Sequence, residues 1–213
     1  MGEDAKVIRN RKTGEQVCKN LQSRGFEAWY CENKEEALAQ ALRLIPEGSS
    51  VSWGGCQSVE EIGLLDAVRK GNYQVIDRDT AKTPEERKAL MKQGLTCDVF
   101  LTGTNAITED GELVNIDGNG NRVAAMIFGP DSVIVIAGMN KLAKTVMDAA
   151  NRARTVAAPI NAQRFNLQTP CQIDGICHDC NVPDSICSYI VRTRRCKPAG
   201  RMKVILVGES LGF

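Results

Sequence analysis

Residues 49–70 read SSVSWGGCQSVEEIGLLDAVRK, and the change of pattern within this stretch decides the class of fold. A short apolar run typical of a strand ends at Gly54 and Gly55, and apolar residues then recur at helical spacing. Ser58, with Glu61 three residues later, predicts the N-cap of this helix. A strand, a glycine turn and a helix in this order form the unit from which parallel sheets are built.

The same unit recurs on both sides of this stretch. Before it, residues 4–45 predict two helices that are broken near Gly25, with the strand FEAWYC between them. After it, the sequence predicts the strand YQVIDRD, the helix TPEERKALMKQG with Thr83 as N-cap, the strand CDVFLTGTNAIT, and the strand SVIVIAGMNK, which enters a helix at Asn140. The ending MKVILVGESLGF predicts a final strand that returns to the main sheet. We therefore predict an α/β fold with a mainly parallel sheet flanked by helices.

The segment between residues 105 and 123 has a different character. Asp110-Gly111 lies between two short apolar stretches, which predicts a type I′ hairpin. A second turn-rich run, DGNGN, occupies residues 117–121. This run lacks the later spacing and the bidentate Glu of a calcium-binding EF-hand loop, so we do not predict a calcium site.

A ligand pocket is expected where the parallel strands end, because ligands of such sheets gather at the carboxyl ends of the strands. The turn GGCQSVEE presents backbone N–H groups at the start of a helix, an arrangement that binds anions. Arg122 and Lys141 are the basic residues expected at the same edge. We therefore predict a pocket for a small carboxylate or phosphate, formed by Gly54, Gly55, Ser58, Thr104, Asn105, Asp117, Gly118, Asn121, Arg122, Asn140 and Lys141.

Composition excludes several classes of partner. The chain has 213 residues and a formal net charge of +1, so no basic excess indicates binding to nucleic acid. Aromatic residues make up 5% of the chain, too few to predict a surface on which bases stack. The N-terminal MGEDAKVIRNRKTG lacks the apolar segment of a secretory signal, and runs such as VIVIAG are too short to cross a bilayer. We therefore predict a cytoplasmic protein without a membrane partner.

Five of the nine cysteines lie between residues 166 and 200, and four of them have the spacing Cys171-x5-Cys177-x2-Cys180-x6-Cys187. Two thiolates in a Cys-x2-Cys turn can both reach one metal, and the two outer cysteines complete four soft ligands. Disulfides are not expected in a reducing compartment. We predict a four-cysteine metal site that favours an iron–sulfur cluster (4Fe–4S), with zinc as the alternative.

This cysteine-rich segment divides the chain into three predicted parts. Residues 1–165 are predicted to form the α/β domain, residues 166–200 the metal-binding segment, and residues 201–213 the final strand of the main sheet. Cys196 is left open as a spare thiol or an alternative ligand. His178, the single histidine, is expected beside the metal rather than on it. Cys56, in the glycine turn, is left open as a packing residue or a functional thiol.

The stretch LTGTNAITEDGELVNIDGNGNRVAAMIFGPDSVIVIAGMNK, residues 101–141, resembles the LUD-domain family. The tail TPCQIDGICHDCNVPDSIC and the ending VILVGESLGF resemble its short members that carry a C-terminal cysteine segment, and the resemblance covers residues 5–213. It implies the fold shared by sugar-phosphate isomerases and CoA transferases. It also implies a role in lactate utilisation, with iron–sulfur and flavin partner proteins that oxidise lactate to pyruvate. The chain would then be an oxidoreductase component that acts on a small hydroxy acid.

Two other functions stay open. The first alternative is a non-catalytic binding or regulatory module that zinc holds together. The second is a relative of sugar-phosphate isomerases or CoA transferases. The same stretch is distantly similar to such isomerases, but Asn105 stands where they carry an acidic residue, and an amide cannot act as a general base. Asp117 or Glu109 would have to replace it. Assembly into a homo-oligomer is a further open expectation.

Overall fold

The computed structural model describes residues 4–213, so the first three residues of the N-terminal segment, for which no secretory signal is predicted, lie outside the described residues. The strands are β1 (Glu27–Cys31), β2 (Ser50–Trp53), β3 (Gln74–Ile76), β4 (Val99–Gly103), β5 (Ala106–Thr108), β6 (Leu113–Asp117), β7 (Ser132–Gly138), β8 (Leu142–Ala143), β9 (Tyr189–Thr193) and β10 (Met202–Val207). The helices are α1 (Ala5–Ser23), α2 (Lys34–Arg43), α3 (Gln57–Glu61), α4 (Leu64–Lys70), α5 (Pro84–Gln93), α6 (Asn121–Ile127), α7 (Val146–Arg152), α8 (Ala158–Ala162) and α9 (Pro170–Asp174).

The main sheet has six parallel strands in the order β1-β10-β7-β4-β2-β3. Its strands bury both faces. In β7, Val133 and Val135 pack with residues of α1, whereas Ile134 and Ile136 pack on the opposite side with residues of α2. Strands buried on both faces have continuous apolar sequences, as SVIVIAG does. The predicted α/β class, with a parallel sheet flanked by helices, is therefore confirmed.

A second sheet, in the order β8-β5-β6-β9, lies beside the carboxyl edge of the main sheet. It contains the predicted hairpin, in which β5 and β6 pair in antiparallel fashion. The predicted turn type is wrong, because Gly111 has a positive φ of 81° and Asp110 does not. The N–H of Gly111 donates to the carbonyl of Thr108, so the loop is a three-residue turn that ends in a left-handed glycine.

Two predicted helix starts are wrong, and packing explains both. Cys56, rather than Ser58, is the N-cap of α3, because the Ser58 side chain is fully buried and bonds to Lys141 instead. After β7 the chain forms a 3-10 turn and the short strand β8, and α7 begins at Val146 with a Thr145 capping box. The helix predicted from Asn140 thus starts six residues later, because residues 142–143 pair with β5.

The predicted start of α5 is confirmed, whereas the helix predicted through residues 58–70 is divided at Gly63 into α3 and α4. Thr83 caps α5 and Pro84 is its first residue, as predicted. The final strand β10 lies between β1 and β7 in the main sheet.

Within residues 4–213, no helix combines the length and the apolar composition that a membrane span requires.

The hairpin glycine provides a test of this arrangement. A Cβ added to Gly111 would lie 2.6 Å from the backbone nitrogen of Leu21 in α1, whereas a Cβ on Gly48, which has a similar φ of 77°, would meet nothing within 4 Å. We expect Gly48→Ala to lower the free energy of unfolding by about 1 kcal/mol through backbone strain alone. Gly111→Ala should lower it by about 3 kcal/mol, because the hairpin must also move away from α1. Urea unfolding measures both values, and equal losses would contradict the predicted contact.

Candidate functional site

A cavity of about 260 Å³ opens at the carboxyl ends of β2, β3, β4 and β7. Most of the residues predicted from the sequence line it: Gly55, Thr104, Asn105, Asp117, Gly118, Asn121, Arg122 and Lys141. The other lining residues include Cys56, Arg78, Asp79, Arg87, Asn161, Arg164, Phe165, Ile186 and Phe213. The structure thus brings together residues from the glycine turn, the loop after β3, the second sheet and the cysteine-rich segment.

Three predicted residues lie behind the cavity wall. Gly54 packs against the methylene groups of Arg122, where an added Cβ would come within 3.0 Å of Cδ. Ser58 is buried beneath Lys141. Asn140 accepts a hydrogen bond from the N–H of Leu211 and donates one to the carbonyl of Gly212, so it holds the C-terminal residues in place.

Arg122 joins the second sheet to the main sheet. One terminal nitrogen, Nη1, donates to Asn115 Oδ1 at 2.6 Å and approaches the carbonyl of Gly103, at the end of β4, at 3.4 Å. The other, Nη2, donates to the carbonyl of Ile116 at 2.6 Å and to Asn105 Oδ1 at 3.2 Å. Both terminal nitrogens are therefore engaged by the protein itself, and the guanidinium has little capacity left for an external anion.

Asp117 organises the turn that follows β6. Its Oδ1 accepts from the N–H groups of Asn119 and Gly120, and its Oδ2 accepts from those of Arg122 and Val123. These groups belong to the turn and to the first residues of α6, so the carboxylate takes the donors that an anion would otherwise use there. Asp117 lies at the pocket wall as a structural acceptor.

The two other residues considered for isomerase chemistry are also engaged. Asn105 Oδ1 accepts a hydrogen bond from the N–H of Ile116 at 2.8 Å, and this bond joins the residue before β5 to strand β6 of the hairpin. Glu109 forms an ion pair with Lys144, outside the cavity. Asn105 and Glu109 therefore both make polar contacts within the protein, as Asp117 does.

Lys141 points from the end of β7 toward β4. The residue is 3% exposed, and its ammonium donates to Ser58 Oγ at 2.8 Å. Burial lowers the pKa of Lys141, whereas the nearby Cys56 raises it. Cys56 is partly buried, lines the same cavity and follows the two glycines of the turn.

Arg78 was not predicted from the sequence, although it directly follows strand YQVID at the carboxyl edge. Burial lowers the pKa of Arg78. Among residues 4–213 its buried Nε has no hydrogen-bond partner, and no carboxylate lies within ion-pair distance of its guanidinium. Arg87, by contrast, is paired with Asp79 at 2.8 Å. Arg164, which is also not among the predicted site residues, is exposed and lies over the ring of Phe213.

The cysteine-rich segment reaches the pocket through Ile186, which packs against Gly118. Its neighbour Cys187 packs under the second sheet. Burial raises the pKa of Cys187 to about 11, and the nearby thiols add to this effect; they are Cys177, Cys171 and Cys180. The other three predicted ligands therefore lie within electrostatic range of Cys187.

These side chains do not form a closed site. Within residues 4–213, no three Cys, His, Asp or Glu side chains are arranged to hold a metal ion. All nine cysteines are free thiols. Arg154, in a π-helical turn between α7 and α8, pairs with Asp179 and also contacts Cys177. His178 bonds to Asp174 at 2.6 Å.

The fold and the cavity define a class of protein: an α/β protein with a cationic pocket at the carboxyl edge of a parallel sheet. Comparison with protein families then identifies the family within this class, because the model of the LUD domain matches residues 14–207. The chain belongs to the LUD-domain family, as its sequence indicated. None of the curated proteins matches it significantly.

The chain is similar to several solved structures, over different shares of its length. A DUF162 family protein from Deinococcus radiodurans superposes with a TM-score of 0.53 and 14% identity, over 93% of this chain and 98% of that one. Ribose 5-phosphate isomerase A from Neisseria gonorrhoeae gives a TM-score of 0.35 and 15% identity, over 53% and 54%. The eIF2B beta subunit from Chaetomium thermophilum gives 0.39 and 19%, over 53% and 43%. The similarity to the Deinococcus protein shows a common fold along nearly the whole chain.

The Arg122 network predicts a large effect on stability. Arg122→Met leaves the carbonyl of Ile116 and the Oδ1 atoms of Asn105 and Asn115 without this donor, so we expect the free energy of unfolding to fall by about 3 kcal/mol. Arg164→Met removes the same charge from an exposed side chain and should change it by less than about 0.5 kcal/mol. Chemical denaturation of both variants checks this, and a marginal loss for Arg122→Met would show that the network is not structural.

Proposed function

We propose that this LUD-domain protein binds a small carboxylate of the size of lactate or pyruvate and takes part in the oxidation of a small hydroxy acid. The carboxylate occupies the cavity at the carboxyl edge of the main sheet. Cys171, Cys177, Cys180 and Cys187 would hold a metal centre, an iron–sulfur cluster in preference to zinc, and a cluster there would supply electron transfer to iron–sulfur or flavin partner proteins. A cytoplasmic location is part of this proposal, because thiolate ligands persist in a reducing compartment.

The observation that carries the proposal is the unpaired Arg78. Arg78 is half-buried, but its Nε is fully buried, and a buried donor costs free energy unless an acceptor compensates it. Among residues 4–213, Nε of Arg78 lacks an acceptor and no carboxylate lies within ion-pair distance, although Asp79 and Asp117 are near enough to raise the pKa of Arg78. A bound carboxylate supplies both a charge and two acceptor atoms, in a geometry that suits arginine. Lys141 adds a buried positive charge to the same cavity.

Membership of the LUD-domain family supports lactate or a related acid as the ligand class. The cavity, at about 260 Å³, suits a small molecule rather than a nucleotide. Phosphate shares the charge of lactate, so a binding experiment must compare the two.

The metal centre is supported by the donor set and its position. Thiols are soft ligands, as an iron–sulfur cluster or zinc requires, and three of the four predicted ligands lie within electrostatic range of the fourth, Cys187. Ile186 lines the cavity and is adjacent in sequence to Cys187, so the centre would lie next to the bound acid. Within residues 4–213, no three Cys, His, Asp or Glu side chains are grouped so that they could hold a metal ion, so the centre rests on the donor set and its spacing.

A zinc-stabilised binding module is the second candidate. The segment around Cys177 and Cys180 is rich in exposed side chains and contributes little to the core, so a structural metal would stabilise it. This candidate predicts a redox-inactive metal. The isomerase alternative has less support, since Asp117 and Glu109 are both engaged in structural contacts.

Anion binding tests the role of Arg78. Arg78→Gln should weaken binding of lactate and pyruvate about tenfold or more, because a charge-assisted hydrogen bond is lost. Arg43→Gln is the matched control; it removes the same charge from an exposed site on α2 and should leave affinity unchanged. Isothermal titration calorimetry with lactate, pyruvate and inorganic phosphate measures these affinities. Equal affinities in both variants would remove Arg78 from the site, and preference for phosphate would redirect the ligand class.

Metal content tests the thiolate centre. Cys177→Ser and Cys180→Ser should each abolish iron binding, since two of the four ligands lie in this turn. Cys56→Ser, outside the four, should retain it. Elemental and sulfide analysis of anaerobically purified protein measures this, together with visible absorption. Full iron content in both variants would refute the ligand assignment, and colourless protein with one zinc would favour the binding module.

A further inference from the structure

Cys56 and Lys141 lie together at the wall of the cavity. The proposed binding of a carboxylate by Arg78 does not involve the Cys56 thiol. Both side chains approach Gly103, the last residue of β4. A Cβ added to Gly103 would lie 2.5 Å from Cys56 Sγ and 3.8 Å from Lys141 Nζ. The sulfur and the ammonium therefore occupy the same small space at the end of this strand.

The ammonium of Lys141 has spare donors. Its Nζ donates to Ser58 Oγ, and Ser58 Oγ in turn lies 3.2 Å from the carbonyl of Leu211, to which it donates its own hydrogen. Ser58 thus compensates one N–H of an ammonium that has three. Nothing in this chain of bonds carries a negative charge.

Cys56 is the acidic group with the largest electrostatic effect on Lys141. No carboxylate lies within ion-pair distance of Lys141 in the part of the chain that the structure describes. Arg152 and Arg122 are positive neighbours, and among the groups that raise the pKa of Lys141, Cys56 contributes more than Glu61. Arg122 is also close enough to interact with the charge of Cys56. A thiolate at this position is therefore surrounded by positive charge.

The core cysteines differ from Cys56 in this respect. Burial raises the pKa of Cys18 to about 12 and that of Cys97 to about 11, which makes them unreactive thiols. Cys97 donates to the carbonyls of Gly94 and Val99, as a protonated thiol does. Cys56, in contrast, lines an open cavity.

We propose that Cys56 and Lys141 form a thiolate–ammonium pair, and that Cys56 is a nucleophile for small carboxylates that carry an electrophilic carbon. The anion site of the proposed function would hold the carboxylate of such a molecule beside the sulfur. The inference therefore rests on that function for its choice of ligand, whereas the reactivity of the thiolate rests on Lys141. The ligand class includes 2-oxo acids.

The chemistry balances within the pocket. When the thiolate adds to the carbonyl carbon of a 2-oxo acid, the S–C bond forms and the C=O π bond breaks. The oxygen receives that electron pair and takes a proton from the ammonium of Lys141, which becomes a neutral amine. With iodoacetate as a probe, the S–C bond forms, the C–I bond breaks and iodide leaves with the electron pair.

Alkylation of the intact protein tests the proposal. Iodoacetamide, which is neutral, reports the thiolate alone, and iodoacetate, which is anionic, also reports the anion site. Peptide mass spectrometry follows each cysteine separately. We expect iodoacetamide to label Cys56 at least about tenfold faster than Cys97 in the native protein. Iodoacetate should react faster with Cys56 than its rate with glutathione predicts, when iodoacetamide is the reference. Lactate should slow the labelling of Cys56 by iodoacetate.

Variants of Lys141 separate a charge effect from a packing effect. Lys141→Met should lower the iodoacetamide rate at Cys56 about tenfold, and Lys141→Arg should restore much of it, because only the charge is shared between Lys and Arg. Cys56 labelled no faster than Cys97 would overturn the thiolate pair. Equal rates in Lys141→Met and wild type would overturn the role of Lys141.

The two proposals fail in different ways. Fast labelling by iodoacetamide without any preference for iodoacetate, and without protection by lactate, would leave the thiolate pair in place and refute the anion site. If calorimetry shows strong lactate binding but Cys56 is labelled slowly, the anion site stays in place and the thiolate pair is refuted.

Discussion

The guanidinium of Arg122 is the contact on which the pocket depends. It approaches the carbonyl of Gly103 on the main sheet and bonds to Asn105, Asn115 and Ile116 of the second sheet. A planar group with donors on three nitrogens can satisfy several acceptors whose positions are fixed by two different sheets. Without it, buried carbonyl and amide groups would lack a partner at the place where the two sheets meet.

This arrangement separates structural cations from those that remain available to a ligand. Arg122 is held by the protein, and Arg87 is paired with Asp79. Arg78 and Lys141 line the same cavity without a carboxylate partner among residues 4–213. Since buried charges are costly when unpaired, an anion is the ligand that we propose for this pocket. The same reasoning underlies the proposed pairing of Cys56 with Lys141.

The second sheet also connects the pocket to the cysteine-rich segment. Strand β9 pairs with β6, and Arg192 on β9 forms an ion pair with the buried Glu112, which Arg24 of the α1 C-cap also contacts. These contacts bring Ile186 to the cavity wall. A segment with little apolar periodicity is thereby fixed next to the candidate site.

The sequence by itself determined the strand–turn–helix order, the buried faces of the strands and the family. Residues such as those of SVIVIAG specify their environment locally, because a strand buried on both faces needs an unbroken apolar run. Most of the pocket followed from the rule that ligands gather at strand ends, which placed residues such as Gly55 and Lys141 correctly at the cavity.

Only the tertiary structure decided what each polar side chain does there. Ser58 was predicted as a helix cap and instead supports Lys141, and Arg78 was not predicted at all. Whether a charge is compensated depends on acceptors supplied by distant segments, as Asn105 and Asn115 are for Arg122. Sequence spacing carries no record of such long-range pairing, so it locates the edge of the sheet but does not identify which cation is free to bind.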